Sequence, residues 1–363
     1  MKILHILYES KGDYFGVGGV AARAYEIYGL IKDRHDITLL CKRYPGAEDR
    51  EIEGIRHIFV GAESKSLTIT LLAYAYHVVR FVKRYGNEFD VIIEEFSPAI
   101  PTFLHAFTKK PVLLQVQGYT KGLYFRKYNL FYALTLYILE ILRPWFYKNF
   151  ILITKETAKR SPFNCKKHFV IIPNGISPEL LDTIPQEGDC ILYYGRIDIY
   201  SKGIDTLINA YKVFCKSSPD IRLVVAGDGR DMQRFKELLL RLPDDVRKKI
   251  KLLGWVIGDE KKEVLSRAMF FVFPSRHEVQ SIAALEAMAC GKPVIVSDIP
   301  ELDYTVKCGA GVNFKTGDAG SLAESMIKMA ASDKRKEMGR KGREFVKDFT
   351  WGRIVLRFEE FLE

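Results

Sequence analysis

Two carboxylates, Glu278 and Glu286, stand eight residues apart in the stretch SRHEVQSIAALEAMACGKPVIVSDIPE, residues 275–301. Between them the pattern turns helical near Ser281, a residue type that caps a helix by accepting from an amide of its first turn. The remaining first-turn amides, around Ser281 and Ile282, join the positive end of the helix dipole to make an anion site suited to a diphosphate. Carboxylates do not bind phosphate. Placed on either side of it, they accept hydrogen bonds from hydroxyls, such as those of a sugar at one end and a ribose at the other. A blander reading, two solvated glutamates, conflicts with the apolar run Ala287, Met288, Ala289, Cys290 that follows Glu286 and marks a buried helix.

A second constellation is YYGRIDIYSKGIDTLINAY, residues 193–211. A strand ends at Tyr194, Gly195 makes the turn, Arg196 and Lys202 follow, and Gly203 precedes a helix. Two cations in one loop neutralise a diphosphate and stabilise it as a leaving group. Alone they read as two surface cations. Beside the Glu278–Glu286 segment they read as the other half of a phosphate site.

These loops need a scaffold that brings them together. The 363 residues, 48% hydrophobic and 28% charged, exclude wholesale disorder and fibrous repeats and suit two domains. Nearly continuous apolar runs from Ile3–Leu7 to Phe150–Ile153 alternate with helical patterns, among them 99–108 and 122–148. The alternation restarts with runs from Cys190–Tyr194 to Val294–Val296. Such runs are strands buried on both faces of a parallel sheet. The expected class is α/β, with two Rossmann-like doubly wound domains facing a cleft. Residues 1–172 form the first, 173–188 a linker and 189–347 the second. A C-terminal helix over 348–363 lies beyond the second sheet or packs back toward the first domain. In such sheets ligands sit at the carboxyl ends of the strands.

Together the motifs resemble the retaining glycosyltransferases of family 4, the group 1 glycosyltransferases with the GT-B fold. The likeness runs through the double sheet, Pro173–Ile176, Gly195-Arg196 to Lys202-Gly203, Gly227-Asp228-Gly229, Gly254-Trp255-Val256 and the paired glutamates. It implies a nucleoside-diphosphate sugar as co-substrate in the second domain, transfer with retention, and neither cofactor nor bound metal. Consistently, the chain has no Asp-x-Asp. By position, Arg196 and Lys202 would hold the donor phosphates, Glu278 the transferred sugar and Glu286 the ribose, with the Trp255–Val256 backbone at the base. Gln280-Ser281 replaces the family's usual aromatic-glycine pair, so the sugar pocket differs.

In the first domain, Gly16-Val17-Gly18-Gly19-Val20 resembles the family's glycine loop, which lets the backbone approach donor phosphate and acceptor. It also fits a dinucleotide fingerprint, but the first Gly comes late after the strand, and the second strand ends Leu39-Leu40-Cys41-Lys42 without an acid for a ribose. Redox cofactor binding is therefore not expected. Where the family often places a His, after Val112–Val116, stands Gln117. It can hydrogen-bond a sugar but cannot act as a base. Glu94 and Glu95 end the preceding strand. Either could orient an acceptor hydroxyl, or both could be carboxylates in water.

The net charge of +10 is localised. Residues 101–170 carry 12 Lys and Arg against 2 Asp and Glu, together with 15 of the 45 aromatics, whereas residues 171–363 carry 30 against 29. Two readings of this segment stand level. One is a core helix with a partly exposed face; the other is a patch that attracts anionic lipid and rests aromatics among headgroups. No nucleic-acid module is visible. Uncharged runs such as Ser66–Val79 and Tyr128–Leu139 fall short of the ~20 residues of a membrane span. The start, MKILHILYES, reads as a strand rather than a signal peptide. Six scattered cysteines without a C-x-x-C pair point to reduced thiols and a cytoplasmic setting, peripheral to a membrane if the patch touches lipid.

The expected reaction moves a hexosyl unit to a hydroxyl of a glycan or lipid-linked acceptor, in envelope polysaccharide or glycolipid synthesis. A GT-B epimerase or phosphorylase, and a non-catalytic nucleotide-sugar-binding protein, remain as alternatives.

Overall fold

The computed structural model describes residues 1–11, 18–64, 66–162 and 167–362, and the side chains of Lys121, Arg126 and Lys127 are likewise outside the description. Gly16, Val17, Cys165 and Lys166 therefore lie outside the described residues. The chain forms two compact units, Met1–Pro173 with Gly352–Glu363, and Asn174–Trp351.

The first unit holds β1 (Lys2–Ile6), β2 (Asp36–Lys42), β3 (Arg50–Ile52), β4 (Ile55–Val60), β5 (Val91–Glu95), β6 (Val112–Val116), β7 (Asn149–Leu152) and β8 (His168–Ile171). Their order is β3-β4-β2-β1-β5-β6-β7-β8. Only the edge pair β3–β4 is antiparallel. Every residue of β5 and β6 is buried, as expected of strands covered on both faces. Helices α1 (Gly19–Ile31) and α2 (Leu67–Tyr85) belong to crossovers of this sheet.

The expected helix over 122–148 is broken into pieces, and only α3 (Leu130–Leu142) is of any length. Asn129 caps its start by accepting from the Tyr132 amide, and Pro144 closes the segment in a 3-10 turn. Over 99–108, likewise expected to be helical, only Leu104–Ala106 makes a 3-10 turn. Strands β3 and β8 escaped the sequence reading because β3 is three residues long and His168–Ile171 opens with a polar residue after the charged 166–167.

The second unit has β9 (Cys190–Tyr194), β10 (Arg222–Ala226), β11 (Ile250–Gly254), β12 (Ala268–Phe273), β13 (Val294–Ser297) and β14 (Gly311–Phe314), all parallel, in the order β11-β10-β9-β12-β13-β14. Strand order reverses between β9 and β12, so the loops after those two strands open side by side. Helices of eight or more residues here are α4 (Ile204–Ser217), α5 (Met232–Leu240), α6 (Gly258–Ser266), α7 (Ile282–Ala289), α8 (Ala319–Ala331) and α9 (Arg335–Val346). Residues 174–188 cluster with this unit, and Ile176 and Leu180 enter its core.

Helix α10 (Trp351–Leu362) spans the second crossing between units, and from Gly352 onward it belongs to the first. There Phe358 meets Tyr28 edge-on, and Glu359 pairs with Arg34 at 2.8 Å and His35 at 2.9 Å. Among the described residues no helix is long and apolar enough to cross a membrane.

Candidate active site

The loops after β9 and β12 meet through an ion pair, Lys202 Nζ to Glu278 Oε1 at 2.6 Å. Glu278 is only 9% exposed and also accepts from the Ser275 hydroxyl at 2.9 Å. Backbone geometry sets this up. Gly203, beside Lys202, adopts φ +62°, and a Cβ there would stand 2.0 Å from the Pro274 carbonyl oxygen. Only glycine lets the two loops approach so closely. Arg276, unnoticed in the sequence, then locks them. Its guanidinium donates to both Asp205 oxygens at 2.9 and 2.8 Å, to the Ile199 carbonyl at 3.0 Å and to the Thr206 hydroxyl at 2.8 Å. Its own amide donates to the Ser201 carbonyl at 2.9 Å.

Ser281 caps α7 as expected, accepting from the Ala284 amide at 3.3 Å. The amides of Ile282 and Ala283 are left in the unpaired first turn. Gln280 is held from behind, accepting from the Asn174 amide at 2.6 Å through its side chain and from Asn174 Nδ2 at 3.1 Å through its carbonyl. Its side chain is thus a strut between the loop and residue 174.

In the second turn of α7, Glu286 is buried and pairs with Lys261 of α6 at 2.7 Å. Burial pushes the Glu286 carboxyl up, and Lys261 draws it part of the way back. Burial alone would lower the Lys261 ammonium, but the Glu286 charge raises it above its ordinary value. Lys261 also sits 5.5 Å over the Tyr194 ring. No sequence signal singled out Lys261, since it is one of two adjacent lysines on a charged helix.

Around these pairs, the Gly195 and Gly227 turns stack backbone on backbone. A Cβ on Gly227 would lie 1.8 Å from the Gly195 carbonyl oxygen. Arg196 is pinned through its carbonyl, which accepts from the Tyr193 hydroxyl at 2.7 Å, while its side chain is exposed. The indole of Trp255 is 56% exposed and Val256 is buried, so Val256 can offer a ligand only its backbone.

In the first unit the expectations divide. Glu94 is not in water. It is buried and spent on Arg143, Thr102 and the Tyr147 hydroxyl (2.6 Å for the last). A buried Arg143 needs that counter-charge, which a sequence cannot locate 49 residues away. Glu95 is also buried. It takes Gln115, the Gln117 amide at 3.4 Å and His5 at 3.3 Å. Gln117 is half-buried and so is oriented by Glu95.

At the start of α1, the Glu9 carboxylate accepts from the amides of Gly18 at 3.0 Å and Ala21 at 3.3 Å. A phosphate would have to displace Glu9 to use the Gly18 amide. Gly19 has open space where a Cβ would be, so nothing within the described chain demands glycine there.

Comparison with known proteins agrees with this layout. The family model described as glycosyl transferases group 1 matches residues 182–345. An uncharacterized glycosyltransferase of Methanocaldococcus jannaschii is 29% identical over 59% of this chain and 58% of its own. A phosphatidyl-myo-inositol mannosyltransferase of Mycobacterium leprae is 28% identical over 61% of this chain and 62% of its own. The alignments thus span about six tenths of these two relatives. The solved Anabaena protein HepE, in complex with UDP-glucose, superposes with a TM-score of 0.76 at 17% identity, covering 100% of this chain and 99% of its own. The sheet order, the loops after β9 and β12 and the matched segment agree: residues 182–345 match the glycosyl transferases group 1 family, within a chain that has the GT-B fold.

Proposed function

We propose that this protein is a retaining glycosyltransferase. It moves a hexosyl unit from a nucleoside-diphosphate sugar to a hydroxyl of a glycan or lipid-linked acceptor, without a bound metal. The observation that carries the reading is the Lys202–Glu278 pair, set at the strand-order reversal beside the capped start of α7. Lys202, Arg196 and the first-turn amides of α7 receive the charge that grows on the departing diphosphate. Glu278 accepts from hydroxyls of the transferred sugar, and Glu286, held by Lys261, accepts from the ribose. The anomeric carbon–phosphate oxygen bond breaks and the acceptor oxygen bonds that carbon from the same face. The acceptor proton passes to the leaving phosphate oxygen, so Gln117 need not be a base. The HepE complex with UDP-glucose supports a nucleotide-sugar donor.

A lipid-linked acceptor is favoured by the mannosyltransferase relative and by α3. On α3, Phe131 (83% exposed), Leu134, Ile138 and Leu142 form one stripe that continues to Trp145. Its one carboxylate, Glu140, turns inward to the Thr120 amide at 2.6 Å and the Tyr124 hydroxyl at 2.9 Å. An uncompensated apolar face within a segment of net charge +10 suits an anionic membrane surface, and supports a setting on the cytoplasmic face of that membrane.

The test is a melting-temperature screen against UDP-, GDP-, ADP- and dTDP-sugars. A donor at a hundred times its Kd adds about 2.7 kcal/mol, a rise of several degrees. Lys202→Met should abolish turnover while only reducing the rise. No rise with any donor refutes the reading. Free sugar phosphate as product would instead identify a phosphorylase, and turnover without acceptor an epimerase. Phe131→Ser with Ile138→Ser should release the protein from anionic vesicles; undiminished binding refutes the membrane assignment.

A further inference from the structure

The second unit has a cavity of about 720 Å³ at the other edge of its sheet. Met269 and Pro293 line it near the amino ends of β12 and β13, and Gly188 just before β9, whereas the candidate donor loops follow the carboxyl ends of β9 and β12. A five-residue strand separates the two edges by about 16 Å, so a ligand in this cavity is not the donor diphosphate. Its volume is that of an ordinary small-molecule site.

Five of its lining side chains are cations, Lys292, Arg335, Lys336, Arg340 and Arg343, against two carboxylates, Glu187 and Asp333. The spacing is built by α9. Gly339 lies so close to the 291 turn that a Cβ would meet the Gly291 carbonyl oxygen at 1.9 Å. With that face against the turn, Lys336, Arg340 and Arg343, four and three residues apart, fall along one helix edge at the cavity. The acidic partners on this helix are elsewhere: Glu337 pairs with Lys341 at 2.7 Å and Glu344 with Lys347 at 2.6 Å. Like charges at such spacing repel each other.

Three of the cations are fixed by neutral carbonyls, which orient the heads without cancelling their charge. Arg335 donates to the carbonyls of Met329, Ala330 and Ser332, Arg343 to those of Ala289 at 2.8 Å and Thr183 at 2.5 Å, and Lys292 to that of Gln186 at 2.5 Å. Lys292 is 4% exposed. Burial first, and Arg343 beside it, hold its ammonium down to about 8. Positive charge has been brought together in a concave site with heads pre-oriented and too little counter-charge.

We propose that this cavity is a second anion site of the protein, taking a small molecule that carries phosphoryl groups. The heads of Lys336 and Arg340 close on the phosphoryl oxygens from α9, and Lys292 supplies buried charge at the floor. Phosphoryl oxygens suit such convergent cations because each contact is charge-assisted.

The test is calorimetric titration of the full chain with inorganic pyrophosphate, for the wild type, Lys336→Gln/Arg340→Gln and Lys202→Met. Both substituted α9 side chains are exposed, so the double variant should keep the wild-type melting temperature. It should lose one pyrophosphate site or weaken it at least tenfold, while Lys202→Met leaves that site intact. Arg340→Lys, which keeps the charge, should stay within a few-fold of wild type. Pyrophosphate binding by the double variant with unchanged affinity and stoichiometry overturns the proposal. If the donor reading alone fails, the wild type shows one site, still sensitive to the α9 pair and indifferent to Lys202.

Discussion

Replacing Lys261 by Met tests whether Glu286 is held ready by its partner. The pair is 2.7 Å long, with side-chain exposures of 23% for Lys261 and 10% for Glu286. Breaking a fully buried pair costs about 3–5 kcal/mol, and partial access of water to Lys261 reduces that to about 2 kcal/mol. Loss of the ammonium from above Tyr194 adds ~0.5 kcal/mol. The deficit depends on pH. Burial already raises the Glu286 carboxyl, and without Lys261 it rises further. Between the unfolded carboxyl, near ~4.3, and the raised native one, the native state binds more protons than the unfolded chain. Stability therefore falls as pH rises through that window, and falls further in the variant. Denaturant unfolding should show the full deficit at pH 8 and a much smaller one at pH 5. Lys261→Arg should restore most of it. In kinetics the donor KM should rise about tenfold with kcat little changed, because a ribose contact is made equally in ground and transition states. A double-mutant cycle with Glu286→Gln should give a coupling of at least ~1 kcal/mol. Additive effects, or equal deficits at pH 5 and pH 8, refute the assignment.

Arg276→Lys removes the two-pronged grip on Asp205 and should lower kcat at least tenfold through a mislaid Lys202, with stability down by about 1–2 kcal/mol; unchanged kcat contradicts the positioning role. Gly203→Ala meets the Pro274 carbonyl at 2.0 Å in a left-handed conformation, and should cost at least ~2 kcal/mol in urea unfolding and abolish transfer. Lys292→Met tests the buried ammonium. With the native group at about 8 and the unfolded one near its ordinary value, the unfolded chain binds more protons between those values. Wild-type stability should thus rise with pH over that window by about 2–3 kcal/mol, and the variant should lose the rise. An unchanged slope in the variant excludes Lys292 as its source.

The double sheet was legible because buried parallel strands announce themselves as unbroken Val, Ile and Leu runs, as in Ile37–Cys41 and Val294–Val296. The cap at Ser281 and the turns at Gly195 and Gly203 were legible because each follows from a local rule, a hydroxyl before an apolar helix or a glycine where chains crowd. What stayed hidden was long-range. Lys261 reaches Glu286 across 25 residues, Arg276 reaches Asp205 across 71, and Arg143 takes Glu94 across 49. No periodicity reports such partners, because a charge is chosen by the burial of another charge and not by its neighbours in sequence. For the same reason Glu94 and Glu95 looked equivalent, although one neutralises a buried arginine and the other orients Gln117.

Two such partnerships lie at the candidate site itself. A site that receives a diphosphate needs cations, but in the empty protein a half-buried ammonium without a counter-charge is costly. Lys202 and Lys261 are each stored against a carboxylate, Glu278 and Glu286. On the proposed function, the phosphate of an entering donor takes over as the partner of Lys202, and Glu278, still bonded to Ser275, is released to accept from sugar hydroxyls. On the same proposal Lys261 stays on Glu286, where it offsets part of the rise that burial imposes on the carboxyl facing the ribose. Exchange of partners lets binding proceed without first exposing an unpaired buried charge. It predicts opposite consequences for the two lysines: removing Lys202 should lower kcat, since its charge is needed as the diphosphate leaves, whereas removing Lys261 should raise the donor KM. Equal effects of the two substitutions on kcat would rule out the exchange, because a lysine that never leaves its glutamate cannot follow the charge onto the leaving group.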